Sequence, residues 1–144
     1  MPVSASEFRD LIPHRGSMSL LSEVVHFDDE SITCRAVSHR DPANPLREHG
    51  ILPAVCGIEY AAQAMAVHGA LSEQRGSRPG MLAGVREVVL SVERLDDLAC
   101  DLVLKARRLI GDSRHLLYEF AVHAAERELI RGRAAVVLTD GAGQ

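Results

Sequence analysis

The residues best suited to acid–base chemistry lie in one apolar segment and in the loop before it. Glu59 is the one carboxylate between Gly50 and Leu71, and His39 and His49 precede it. A carboxyl group in apolar surroundings favours its protonated form and can donate a proton, whereas neutral imidazole is a good base near pH 7. The pattern predicts proton transfer, with Glu59 as the acid and either histidine as the base. The alternative is structural: Glu59 caps a backbone N–H group, and the histidines hold the loop.

The segment that carries Glu59 is predicted to be a long, buried helix. Pro53 suits the first turn because an N–H group would be unpaired there, and the residues from Ala54 onward are mostly good helix formers. Since apolar residues cover nearly every side, the helix should run through the middle of the fold. Glu59 and Gln63, one turn apart, are then buried or nearly so. Gln63 either hydrogen-bonds Glu59 or the loop backbone, or only packs.

The start of this helix is a candidate substrate-binding region. Free N–H groups around Ala54 to Gly57 can hold a carbonyl group or an oxyanion, aided by the helix dipole. Pro53 lacks an N–H group and leaves room for a substrate carbonyl, and Gly57 lets a ligand approach the backbone closely. Cys56 is a candidate nucleophile, because helix N-termini favour thiolates. The alternative for Cys56 is a small buried hydrophobe, the usual state of a free cysteine.

Composition narrows the class of protein. The 144 residues show no repeat and no linker, so residues 1–144 are predicted to form a single domain. A net charge of −4, 3% aromatic residues and no tryptophan argue against nucleic-acid binding. The polar residues within the helix argue against a membrane span. Three widely spaced cysteines predict neither a disulfide framework nor a metal site, and they favour a reducing cytoplasm: Cys34, Cys56 and Cys100.

The rest of the chain predicts an α+β fold in which a long, curved antiparallel sheet wraps the helix. A capping-box pattern, Ser4-x-x-Glu7, predicts a short helix from Ser4 to Leu11. Alternating apolar residues and short turns predict six strands: Met18–Phe27, Ile32–Val37, Met81–Val92, Ala99–Ile110, His115–Ala124 and Leu129–Thr139. Gly84 and Gly132 are candidate bulges. The open edge and face of such a sheet predict a symmetric dimer.

Two stretches resemble a known enzyme family. LIPHRGSMSLLSEVV is similar to the opening of bacterial 3-hydroxyacyl-[acyl-carrier-protein] dehydratases, and GIEYAAQAMA resembles their central helix. HRDPANPL and GIEYAAQAMAVHGAL resemble most closely a divergent branch from aryl-polyene-type biosynthetic clusters. The resemblance covers roughly Leu11 to Leu71 and then the strand order. It implies the hotdog fold, a sheet wrapped around one helix, in proteins that work as dimers.

The resemblance also implies a reaction and its residues. In the family, a loop histidine removes a proton from C2 of the acyl chain, and the helix carboxyl, often from the other subunit, protonates the departing 3-hydroxyl. Glu59 matches that acid. The family's Gly-His-Phe-Pro-Gly loop is replaced here by REHGILPAVCG, so His49 is the nearest match and His39 is the rival. The implied substrate is carried on an acyl carrier protein for fatty-acid or polyene synthesis, and no cofactor or metal is required.

Two other functions suit the same pattern. One is an acyl thioesterase, in which the helix carboxyl activates water or attacks the thioester carbonyl without a histidine. The other is a non-catalytic subunit that stabilises an active dehydratase partner, which the altered histidine loop favours. Three arginines are candidates to receive a phosphate-bearing carrier arm, although exposed arginines usually only solvate a surface: Arg40, Arg47 and Arg78.

Overall fold

A central helix, α1, spans Gly57–Leu71 and is entered through a 3₁₀ turn at Ala54–Cys56. The computed structural model describes residues 3–4, 20–71, 80–112 and 114–138. The helix was expected from Ala54, but its first turn is 3₁₀. Among the described residues, no helix is both long and apolar enough to cross a membrane.

An antiparallel sheet of seven strands, counted within the described residues, packs against α1 in the order β1-β2-β3-β5-β6-β7-β4. The strands are β1 (Val3–Ser4), β2 (Glu23–Phe27), β3 (Ser31–Ala36), β4 (Gly80–Leu90), β5 (Leu102–Gly111), β6 (His115–Ala124) and β7 (Arg127–Leu138). The expected α+β architecture is confirmed. Buried and more exposed side chains alternate along the strands, so that the buried row packs towards the helix and the other row faces outward.

Two details of the predicted sheet have different outcomes. The pairing of β4 with β7 shifts between Leu82 and Gly84, so the bulge expected near Gly84 is confirmed. The bulge expected at Gly132 is found on the neighbouring strand: the pairing of β4 with β7 shifts between Arg86 and Val89, opposite Gly132, whereas Gly132 pairs in register with Phe120 of β6. A Cβ atom at Gly132 would lie 3.0 Å from the Phe120 ring, so close packing explains this glycine. The helix expected from Ser4 to Leu11 lies, beyond Ser4 of β1, outside the described residues.

The hydrophobic core lies between α1 and the inner face of the sheet. Tyr60, Ala64 and Val67 of the helix are fully buried there, and so is the amide of Gln63. Burial is less complete than expected on one side of α1, where Glu59, Ala62 and others at four-residue spacing are only half-buried. Glu59 therefore lies at the border of the core, within reach of a ligand or a partner.

Gly57 allows the first turn of α1 to pack against β7. A Cβ atom at Gly57 would lie 2.2 Å from Cδ1 of the fully buried Ile130. We expect Gly57→Ala to lower the free energy of unfolding by about 1–3 kcal/mol, since the core must shift to admit a methyl group. Urea unfolding measures this loss. Ile130→Val removes the clashing carbon, so the double variant should lose less than the sum of the two single changes; strict additivity would contradict this contact.

Candidate active site

Glu59 lies in the first turn of α1, beside Cys56 and the loop that precedes the helix. Burial raises the pKa of the Cys56 thiol, and the negative charges of Glu48 and Glu59 raise it further. The Cys56 Sγ lies 3.9 Å from the carbonyl oxygen of Leu46. These contacts place both carboxylates near one thiol at the helix start. They also favour the neutral thiol, which does not support the candidate role of Cys56 as a nucleophile.

His49 occupies the tip of a two-residue hairpin turn next to this helix start. Glu48 N donates to Ile51 O at 2.8 Å, and Ile51 N donates to Glu48 O at 2.9 Å. His49 (φ 53°) and Gly50 (φ 80°) both adopt positive φ, as the two central residues of a type I′ turn do. His49 is exposed, and so are the apolar side chains of Ile51 and Val55. The turn thus presents an imidazole on a partly apolar surface.

His39 is fully buried, unlike His49. Its Nε2–H donates to the carbonyl oxygen of Cys100 at 2.9 Å, because a carbonyl oxygen can only accept. Nδ1 is then the acceptor nitrogen of the neutral ring, and it is buried without a hydrogen-bond partner among the described residues. Burial is the main cause that lowers the pKa of His39. The structure therefore holds this ring neutral and ties its loop to the segment before β5.

The lowered pKa of His39 predicts a pH-dependent stability. Unfolding returns the ring to its ordinary value of 6.5, so above that pH both states are neutral and the stability is complete. Below it, only the unfolded chain takes up the proton. The free energy of unfolding should then fall by up to about 1.4 kcal/mol per pH unit until the folded pKa is reached.

Urea unfolding of the wild type and of His39→Gln between pH 5 and pH 8, a range that brackets the histidine titration, measures this effect. The free energy of unfolding should depend less steeply on pH in His39→Gln than in the wild type. The control, His26→Gln, changes an exposed ring and should keep the wild-type slope. Parallel slopes for the wild type and His39→Gln would contradict the assignment.

A polar network that the sequence did not predict anchors the loop to α1. The Tyr60 hydroxyl lies 2.7 Å from Ser38 Oγ and accepts from Asn44 Nδ2 at 3.0 Å. Ser38 Oγ also donates to Leu20 O at 2.8 Å. Asn44 lies between two prolines in HRDPANPL, and Tyr60 follows Glu59 on the helix. Their contacts show that much of this motif builds the loop.

Three of the four amides from Ala54 to Gly57 are occupied, which corrects the expected oxyanion site in large part. Ala54 N donates to Glu93 O at 2.9 Å, and Cys56 N donates to Pro53 O at 3.0 Å. Gly57 N donates back into the 3₁₀ turn. The prediction of free amides is therefore wrong for Ala54, Cys56 and Gly57, because the 3₁₀ turn and the segment after β4 use them. Pro53 remains at the half-buried entrance to the helix.

Other candidate residues have partners within the chain. Gln63 Oε1, buried, accepts from Leu20 N at 2.9 Å, so its amide supports the segment before β2. Arg40 donates to the Ala99 carbonyl and to Asp101, and Arg47 donates to two carbonyl oxygens of its own loop. Arg78 lies outside the described residues. These contacts support loop-building roles for the two described arginines.

The segment after β4 fixes the approach to α1. Asp96 Oδ1 accepts from Leu52 N at 2.8 Å, and Arg94 forms an ion pair with the same carboxylate. The hydrogen bonds from Arg94, and then from Leu52, hold the pKa of Asp96 well below its usual range. Leu95 N donates to Leu52 O at 2.8 Å. The residue before Pro53 is thus held on both its amide and its carbonyl group.

A groove on the outer face of the sheet lies on the side away from α1. Four of its charged side chains form ion pairs: Arg107 with Glu119 at 2.7 Å, and Arg133 with Glu87 at 3.5 Å. Such exposed pairs contribute little stability and leave little net charge for a ligand. The helix start, where Glu59, Cys56 and the His49 turn meet, is the better candidate active site.

Comparisons with known proteins agree with this architecture. A family model described as ApeP-like, ApeP dehydratase, matches residues 6–143. A chain of the dehydratase heterocomplex ApeI:P from Xenorhabdus doucetiae is 25% identical, with a TM-score of 0.79 over 91% of this chain and 90% of that chain. None of the curated protein sequences matches.

More distant structures share the fold. The conserved protein PA5202 from Pseudomonas aeruginosa is 18% identical, with a TM-score of 0.60 over 81% of this chain and 86% of that chain. Thioesterase HI1161 from Haemophilus influenzae is 11% identical, with a TM-score of 0.67 over 94% of this chain and 90% of that chain. At these identities the likeness concerns the fold alone. The expected hotdog fold, a curved sheet around one helix, is confirmed.

Proposed function

Because the chain belongs to the ApeP-like dehydratase family, we propose that it converts a 3-hydroxyacyl thioester, carried on an acyl carrier protein, to the trans-2-enoyl thioester and water. The observation that carries the proposal is the position of Glu59, half-buried in the first turn of α1, where its charge and that of Glu48 in the His49 turn both act on the Cys56 thiol. The border of an apolar core suits a proton donor, and an exposed imidazole suits a base.

The proposed reaction uses the two side chains in opposite roles. His49 takes the proton from C2, which the thioester carbonyl makes acidic. The electrons of that C–H bond form the C2–C3 double bond as the C3–O bond breaks. Glu59 gives its proton to the departing hydroxyl group, which leaves as water. Proton exchange with solvent then returns the imidazole and the carboxyl group to their starting states, so no cofactor or metal is required.

His49 is a better base than His39 on grounds of access. The acceptor nitrogen of His39 is buried inside the protomer, where an acyl chain cannot reach it without opening the loop. His49 is exposed beside apolar Ile51, which suits contact with an acyl thioester. We assign His39 the role of holding the loop, and Pro53 and Cys56 a place in the substrate wall. Gly57 and Gln63 support that wall through packing and hydrogen bonding.

The edge strand β4 is the proposed surface for a second hotdog subunit, either another copy or a related chain. It ends the sheet of described strands, and among those strands its outer backbone edge has no partner. Its apolar side chains are unusually exposed, at 38–64%: Met81, Leu82, Val85, Val89 and Leu90. The ApeI:P structure is a heterocomplex, which supports a hotdog partner on this chain too. Pairing at β4 would cover this apolar surface.

We expect Val85→Asp to weaken subunit association about 10- to 100-fold, since it places a charge in the middle of that surface. Analytical ultracentrifugation of the chain, alone and with a co-expressed hotdog partner, measures the dissociation constant. Val25→Asp changes a valine of similar exposure, 41% against 38%, on β2 and should leave association unchanged. Equal weakening by both variants would place the interface elsewhere.

Product analysis tests the function directly. The purified chain, and the chain with its hotdog partner, are given a 3-hydroxyacyl carrier protein, and the thioester is followed by mass spectrometry. Loss of water from the intact thioester supports dehydration. Release of free acid would instead identify a thioesterase and overturn the proposal.

A second candidate function is a supporting subunit for an active dehydratase. The observation that favours it is that the similar structure, ApeI:P, is a heterocomplex. The same assay separates the two. A supporting subunit gives no product alone and restores activity to a partner even when Glu59 is replaced by glutamine. A dehydratase loses activity with that replacement in the complex as well.

A further inference from the structure

Arg47 lies in the loop that carries His39 and His49, and its side chain contacts both ends of this segment. Its NH1 donates to Gly50 O at 3.0 Å, and its NH2 donates to His39 O at 3.1 Å. One planar guanidinium therefore joins the carbonyl beside the exposed His49 to the carbonyl of the anchored His39. The side chain is half-buried, and its Nε is buried without a partner among the described residues.

The turn at His49 needs support from outside itself. His49 adopts φ 53°, a left-handed conformation that is unfavourable for a residue with a Cβ atom. Two backbone hydrogen bonds, both between Glu48 and Ile51, close the turn. A short exposed turn held only by these bonds would open readily, and the imidazole direction would vary with it.

His39 gives this support a fixed base. Its ring is clamped to Cys100 O at 2.9 Å, and the neighbouring Arg40 donates to Asp101 at 2.6 Å, so this end of the loop is tied to the segment before β5. Arg47 therefore ties the Gly50 carbonyl to a part of the loop that is itself held in place. A lysine would hold both carbonyls poorly, because its three N–H donors radiate from one nitrogen and lack the rigid planar fork of the guanidinium.

We propose that Arg47 is a positioning residue that fixes the turn and thereby the direction of the His49 imidazole. The catalytic part of this inference rests on the proposed function, in which His49 is the base. The structural part, that the guanidinium closes the turn, does not. It also gives Arg47 a role different from the carrier-arm contact that its charge suggested.

Three variants test the proposal: Arg47→Lys, Arg47→Met and, as a matched control, Arg107→Met. Arg107 is an exposed arginine that pairs with Glu119 on the outer face of the sheet. The first readout is hydrogen exchange of the Ile51 amide, which donates across the turn. The second is the pH profile of kcat and of KM with the 3-hydroxyacyl carrier substrate.

Both Arg47 variants should speed exchange of the Ile51 amide about 10- to 100-fold, while exchange in the core of α1 stays unchanged. They should also lower kcat about 10- to 100-fold with a smaller change in KM, because a displaced base affects the chemical step. Arg47→Lys should recover little of either loss. The Arg107 variant should match the wild type in both readouts.

The outcomes separate the positioning role of Arg47 from the role of His49 as the base. Unchanged Ile51 exchange in Arg47→Met overturns the positioning role, whatever the activity. Faster exchange with unchanged kcat keeps the support of the turn but removes His49 as the base, which is a failure of the proposed function. An equal loss of protection throughout α1 would mean general destabilisation and would overturn the specific role of Arg47.

Discussion

Replacing Glu59 by glutamine is expected to lower kcat about 10²- to 10⁴-fold, because the amide cannot protonate the departing 3-hydroxyl group. The two side chains have nearly the same shape, so the first turn of α1 should keep its packing. Steady-state kinetics on a 3-hydroxyacyl carrier substrate measure the loss. If the carboxyl acts only in the transition state, kcat and kcat/KM should fall together.

Glu30→Gln is the control for this substitution, since Glu30 is an exposed carboxylate at the turn between β2 and β3. It should keep the wild-type rate. Circular dichroism and urea unfolding should show that Glu59→Gln remains folded. Retention of full activity by folded Glu59→Gln would exclude Glu59 as the acid and remove the main basis of the proposed mechanism.

Replacing His49 by asparagine is the second substitution with a large expected effect. Asparagine tolerates the positive φ that His49 adopts, so the change should remove the imidazole while keeping the turn. We expect kcat to fall about 10²- to 10⁴-fold with little change in the free energy of unfolding. Kinetics and urea unfolding of the same preparation measure both quantities.

His39→Gln provides the contrast, because His39 is buried and hydrogen-bonded to Cys100. That variant should lose stability and keep much of its activity while it is folded. The opposite pattern, with His49→Asn active and folded His39→Gln inactive, would make His39 the base. It would also require the loop to open when substrate binds.

A mixture of the two inactive variants shows whether one site uses two subunits. In a hybrid dimer of Glu59→Gln with His49→Asn, one intact Glu59 can face one intact His49 only if they come from different protomers. Random pairing would then restore about a quarter of the wild-type activity, because half of the dimers carry one of two sites. No recovery would place both side chains in one protomer.

The sequence predicted the scaffold well, because its signals are local. The spacing of apolar residues after Pro53 predicted the helix, and alternation predicted β5 to β7 to within about three residues, as is usual for boundaries predicted from sequence. Gly84 was found at a bulge as expected, whereas the extra residue opposite Gly132 belongs to β4, and Gly132 itself packs closely against the Phe120 ring on a neighbouring strand. A glycine in a strand pattern does not distinguish these two causes.

The two histidines show where sequence reasoning stopped. Both lie in the same polar loop, and both are candidate bases by type and position. His39 is buried because it meets Cys100, 61 residues further along the chain. His49 is exposed because it occupies a turn that closes upon itself. No local pattern around either residue contains that difference.

The sequence alone determined the helix, the strand order along the chain and the acidic side chain in the apolar run, since hydrophobic periodicity and residue type express these directly. Tertiary structure decided the rest: Glu59 at the border of the core, the occupied amides at the helix start, and the guanidinium of Arg47 across the histidine turn. The border position of Glu59 and the bond from Ala54 N to Glu93 O depend on groups distant in sequence that meet only in the folded sheet, and the Arg47 contacts depend on how its loop folds back on itself.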